Sequence, residues 1–141
     1  MYNFSKSSQS KLDETHCDLQ KICNELIKYI DFTVVTGYRN PGEQLKKYNE
    51  GFSKVKKGKH NYKPSLAVDI QPYPLLSKTK GKSPREQFYF LAGFFMGIAK
   101  QLKAEGHITH DIRFGGDWDK DGEIADNGFD DLYHFELVWL K

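Results

Sequence analysis

Three residues, His60, Asp69 and His134, are of types that ligate transition metals, and the last two stand in segments that share one pattern. Leu66, Val68 and Ile70 alternate along one side of a strand and leave Ala67, Asp69 and Gln71 on the other. Near the end of the chain Phe135, Leu137 and Trp139 alternate in the same way with His134, Glu136 and Val138. Aspartate is disfavoured in strands and costly to bury unpaired, so its place among apolar residues needs a reason. If both apolar faces rest on the core, Asp69 and His134 project from the open face of one sheet, where His60 can join them from the preceding loop. One carboxylate and two imidazoles suit zinc and leave a fourth position open. Asp131 falls in the turn before its strand, from where it can serve as general base toward an attacking water without being a ligand. The plainer reading is a hydrogen-bonded histidine on a half-buried strand and an aspartate paired with a lysine.

The elements that must position these groups follow from periodicity and punctuation. Residues 10–30 read as a helix on Leu19, Ile22, Cys23, Leu26, Ile27 and Ile30, with Ser10 and Asp13 resembling a capping box. The β-branched run over residues 31–36 reads as a strand, followed by a turn at Gly37-Tyr38-Arg39. A second helix has Asn40 as N-cap, Pro41 in its first position, Glu43 in its third and Gly51 as its stop. Residues 52–65 form a polar, lysine-rich loop. Ser83-Pro84-Arg85-Glu86 is a further capping box and opens the most hydrophobic helix, through Phe88, Leu91, Phe95, Ile98 and Leu102 to an end near Gly106. Residues 111–114 read as a strand, 115–130 as a long acidic loop and 133–140 as the last strand. Without a regular βαβ repeat, the order predicts an α+β fold, a small antiparallel sheet with helices packed on one face.

The chain of 141 residues fits a single domain, 1–141, and its 38% apolar and 14% aromatic residues are enough for a core. Net charge is only +2, which gives no case for a nucleic-acid partner. The dense basic run, Lys54, Lys56, Lys57, Lys59 and Lys63, reads as a solvated loop, with a rim for an anionic wall polymer as the sharper alternative. Cys17 and Cys23 on one helix would be separated by a rise of about 9 Å, too far for a disulfide. Both read as buried packing residues of a protein made in a reducing compartment. No N-terminal stretch reads as a signal peptide and no segment approaches membrane-spanning length, so the expectations are cytoplasmic synthesis, no membrane insertion and a monomer.

Five motifs stand in order along nearly the whole chain: Gly37-Tyr38-Arg39 with Gln44, the region before His60, Ala67-Val68-Asp69, Gly115-Gly116-Asp117-Trp118, and Asp131-Leu132-Tyr133-His134-Phe135-Glu136. Together they resemble the zinc peptidases of the D-alanyl-D-alanine carboxypeptidase and VanY/VanX type, and within them the phage endolysin branch that cuts the L-alanyl–D-glutamate bond of peptidoglycan stem peptides. The resemblance implies the hedgehog/D,D-peptidase type of fold, zinc ligands at His60, Asp69 and His134, and Asp131 as catalytic base. It also implies Arg39 beside the substrate, polarising the scissile carbonyl or holding a stem-peptide carboxylate; a salt bridge to a loop carboxylate is the structural alternative. Glu136 reads as a residue that orients a ligand. The common family form separates His and Asp by seven residues with a glycine between; here the separation is nine, and Pro64-Ser65 stands in that place. His16, His107 and His110 lie outside the motifs and read as structural or surface residues.

The acidic loop Asp117, Asp119, Asp121 with Gly122 imitates the start of an EF-hand, but its twelfth position is Gly128 rather than glutamate. It reads as a solvated turn, with a weak Ca2+ site as the alternative. Two rival functions accompany the endopeptidase reading. One is a D-alanyl-D-alanine carboxypeptidase; the other is a zinc-stabilised wall-binding module without catalysis.

Overall fold

Two short helices, rather than one long one, open the chain. The computed structural model describes residues 1–51, 58–76, 84–124 and 130–139. Helix α1 spans Lys6–Asp13 and α2 spans Cys17–Leu26. The apolar residues that suggested a single helix all lie in α2 or after it, so nothing periodic supported helix before residue 17. Ser10 and Asp13 lie within α1 and do not cap it. The caps are Ser5, accepting from the Ser8 amide, and His16, whose Nδ1 accepts from the Asp18 amide. Between the helices the Thr15 hydroxyl donates to the Leu12 carbonyl at 2.7 Å, a local bond that competes with helix continuation. Cys23 is buried, which pushes its thiol up to about 12. Cys17 is exposed, against the expectation that both thiols pack inside; six residues turn a helix through about 240°, so the two cannot share its inner face.

Strands β1 (Phe32–Thr36), β2 (Ala67–Pro72), β3 (Asp111–Phe114) and β4 (His134–Val138) form one open sheet in the order β1-β2-β4-β3. Every neighbouring pair is antiparallel. Helix α3 (Pro41–Asn49) starts as expected, with the Asn40 side chain accepting from the Glu43 amide, and Gly51 follows it in the left-handed region. Helix α4 (Pro84–Ala104) lies on the core side of the sheet, where the Phe95 ring stacks on Phe135 at 4.0 Å between centroids. Leu19, Ile22 and Leu26 of α2 join Val34, Val68, Ile70, Ile112 and Leu137 in the same core. The α+β expectation therefore holds. Ser83, the lysines 54–57 and Gly128 lie outside the described residues. Trp139, expected on the apolar face of the last strand, lies past the end of β4, is 73% exposed and packs on the His110 ring. Among the described residues no helix is long and apolar enough to cross a membrane.

Register turns the alternation into placement. Asp69 faces His134 across β2 and β4, Ala67 faces Glu136, and Arg113 of β3 faces Glu136 from the other side. Val68, Ile70, Phe135 and Leu137 meanwhile enter the core. The polar row thus runs across the sheet face opposite the helices.

Candidate metal centre

His60 reaches this face from a single 3-10 turn, Lys59–Asn61. Three bonds tie that turn to the segment after β1. His60 Nδ1 lies 2.7 Å from the Gly37 carbonyl, the Arg39 amide donates to the His60 carbonyl at 2.9 Å, and Asn61 Nδ2 donates to the Arg39 carbonyl at 2.7 Å. Gly37 must lack a side chain, because a Cβ there would collide with the Lys11 carbonyl. The nine-residue separation of His60 and Asp69 is accommodated by the buried Ser65. Its amide donates to the Glu14 carbonyl and its own carbonyl accepts from His16, so the added Pro64-Ser65 pair is pinned to the α1–α2 junction. The Leu66 amide then closes the loop on the Lys59 carbonyl at 3.0 Å and folds His60 back over Asp69.

The three donors converge. His60 Nε2 lies 3.1 Å and His134 Nδ1 3.2 Å from the same oxygen of Asp69, and all three residues are buried. The outer nitrogen of each imidazole is already committed, His60 Nδ1 to a carbonyl that can only accept and His134 Nε2 to Glu136 at 2.9 Å. With those protons outward, two ring lone pairs and a carboxylate oxygen point at one spot, an arrangement that calls for a cation between them. The donor chemistry therefore fits a divalent metal with nitrogen and oxygen ligands.

Without a metal, protons carry that role. Burial lowers the affinity of His134 for its proton, but hydrogen bonds to Asp69 and Glu136 outweigh it and raise the imidazole to about 9. Burial likewise works against ionisation of Asp69, yet the charge of His60 and the bond from His134 hold its carboxyl well below the usual range. Arg39 Nη2 stands 3.7 Å from the second Asp69 oxygen while Nη1 donates to the buried Gln44 side chain at 2.9 Å. Arg39 thus faces the donor set itself, rather than the loop carboxylate considered as its structural partner.

Asp131 sits in the turn before β4, as its odd spacing from His134 required. Its amide donates to the Gly115 carbonyl, and its Oδ1 accepts from the Tyr133 amide at 3.2 Å. Burial, reinforced by the charge of Asp69, raises its pKa. Gly115 lies so close to the Asp131 carbonyl that a Cβ would collide with it. The two glycine motifs thus have one physical function, close backbone approach beside a site residue.

A family model of phage L-alanyl-D-glutamate peptidases matches residues 1–138. The chain belongs to that family. As a member it is a peptidase of peptidoglycan, directed at the L-alanyl–D-glutamate bond. The peptidase also shares its fold with a solved L-Ala D-Glu endopeptidase, ChiX of Serratia marcescens, at a TM-score of 0.68 and 20% identity over 96% of this chain and 89% of that one. No curated protein matches it in a sequence search.

Other expectations for this peptidase resolve residue by residue. Glu136 orients His134, as expected. His107 is exposed, whereas His16 and His110 belong to a structural knot around Asp18, which accepts from the Thr109 and His110 amides and from His110 Nδ1 at 2.7 Å. Asp117, Asp119 and Asp121 do bring their carboxylates together, and the Asp121 and Gly122 amides donate to Asp117. Arg113 escaped the sequence reading, although Asp111-Ile112-Arg113-Phe114 alternates as clearly as the other strands. It donates from Nη2 to Glu136 at 2.8 Å.

Proposed function

We propose that residues 1–141 act as one zinc peptidase domain in which His60, Asp69 and His134 hold the metal, Asp131 is the general base and Arg39 faces the scissile carbonyl. The observation that carries this reading is the convergence of two imidazole nitrogens and one carboxylate oxygen, with both outer nitrogens already engaged. Zinc at that spot would act as a Lewis acid and lower the pKa of water to about 7.

The chain's own groups supply the rest. Asp131 takes the proton of the attacking water and returns it to the departing amine, and a raised pKa suits both steps. Arg39 presents fixed donors where negative charge develops on the carbonyl oxygen. Glu136 keeps the His134 ring turned with its lone pair inward. The family match favours the endopeptidase over the D-alanyl-D-alanine carboxypeptidase, and the buried Asp131 carboxylate, close enough to feel the Asp69 charge, argues against a binding module without catalysis. Mass spectrometry of digested walls and of free pentapeptide tests this. New L-alanine C-termini and D-glutamate N-termini are expected; release of terminal D-alanine alone would replace the reading with the carboxypeptidase.

Synthesis in the cytoplasm of an infected bacterium and action on the wall after release, as a monomer, fit this function. At Asp117, Asp119 and Asp121, whose carboxylates meet on one exposed turn, a solvated turn is the first reading and a weak Ca2+ site is the alternative that a titration decides. If Ca2+ binds, Trp118 should report it as a saturable fluorescence change that Asp119→Ala removes. No change in the wild type would leave the solvated turn.

A further inference from the structure

Arg113 is the one described residue with a buried side-chain donor that nothing satisfies. Its Nε is shielded from water and has no hydrogen-bond partner among the described residues. A buried unpaired donor is costly, so its retention beside the site needs a reason. The guanidinium is nevertheless reachable, its side chain 37% exposed while the Glu136 carboxylate beneath it is 6% exposed. Of its five N–H donors one is engaged, Nη2 to Glu136. The Trp118 ring packs against it, with the guanidinium carbon 5.5 Å from the ring centroid, and the same ring lies 5.6 Å from that of His134. The head group is therefore held one carboxylate away from a donor imidazole, on the β3 side, while Arg39 stands on the β1 side.

Resting on the peptidase reading above, we infer that Arg113 is a specificity-determining residue that binds the free carboxylate of the substrate's glutamate. The chemistry selects that ligand. A glutamate on the amine side of the cleaved bond has two carboxyl groups, and only one continues the peptide. The other stands within a few bonds of the scissile nitrogen, either as a carboxylate or as a carboxamide. A planar guanidinium with spare donors, packed against an aromatic ring, suits a carboxylate and gains much less from a neutral amide. Glu136 does not consume this capacity, because it is shared between Arg113 and His134.

The test uses the zinc-loaded full chain and two synthetic stem peptides that differ only in carrying the glutamate carboxylate or its carboxamide. For the wild type, kcat/KM should favour the carboxylate peptide by about 10- to 100-fold, the range for one charge-assisted hydrogen bond, with most of the difference in KM. Arg113→Gln should bring the ratio close to unity mainly by weakening the carboxylate substrate. Arg113→Lys, which keeps the charge beside Glu136, should retain a reduced preference. A purely structural role, acting through Glu136 and His134, would lower both substrates equally and leave the ratio intact. That result overturns the inference, as does a wild-type ratio near unity, a Lys ratio equal to the wild type's, or a preference abolished by Arg39→Gln but kept by Arg113→Gln. If the wild type cleaves neither peptide but releases D-alanine, the peptidase reading falls and the assignment with it.

Discussion

Asp131→Asn should keep its zinc and lose about 100- to 10,000-fold in kcat, the usual worth of a positioned general base. The two halves of that result have separate origins. Asp131 is outside the convergent donor set, so the metal has no reason to leave. Asparagine has the same shape, and its Oδ1 can still accept from the Tyr133 amide, so the turn before β4 should stay in place. What is lost is the basic oxygen. The pH profile sharpens the test. Asp131 must be ionised to accept a proton, and burial with the Asp69 charge raises its pKa, so kcat/KM in the wild type should rise with pH through a value above the ordinary 3.8. A cation on Asp69 offsets the second cause and leaves burial as the main one. Metal analysis beside steady-state kinetics checks the prediction, and unchanged turnover in Asp131→Asn would remove Asp131 from the mechanism.

How much of this was legible in the sequence depends on the range over which each feature is determined. Asp69, His134 and Glu136 were readable because strand alternation is local, and period two alone assigns each residue to a face. The α3 start was readable for the same reason, since Asn40, Pro41 and Glu43 act within one turn. His60 was readable as a loop residue able to join Asp69 and His134, but how it gets there was not. Its approach to Asp69 depends on Ser65 bonding to the α1–α2 junction and on Leu66 closing onto Lys59, contacts that spacing does not encode. The break between α1 and α2 was hidden because His16 caps a helix with an imidazole, a task usually given to Ser, Thr, Asp or Asn. Asp18 was missed because its partners, Thr109 and His110, are remote in the chain. Arg113 was readable in part, since alternation places it on the open face, but its meaning came from the unsatisfied Nε, which only the packed structure reveals.

Asp69→Ala should remove both the metal and the pH response that betrays its absence. Asp69 supplies the one carboxylate on which His60 Nε2 and His134 Nδ1 converge; without it two nitrogens remain, one short of the three protein ligands of an open zinc site. Zinc content after dialysis should fall from stoichiometric to background, and hydrolysis with it. The metal-free wild type supplies the second signature. A His134 pKa raised from 6.5 to about 9 means that its proton stabilises the fold fully below pH 6.5, and that this stabilisation is lost as pH rises through 9. The stripped protein should therefore lose on the order of 3 kcal/mol of stability across that window. Zinc-loaded protein should not follow it, because ligation requires the deprotonated ring and strengthens as protons leave. In Asp69→Ala the largest bond that raises His134 is gone, so the metal-free pH dependence should flatten toward what Glu136 alone sustains. Thermal melts at several pH values, with and without chelator, separate the cases. Stoichiometric zinc in Asp69→Ala would show that the cation lies elsewhere and would break the site at its centre.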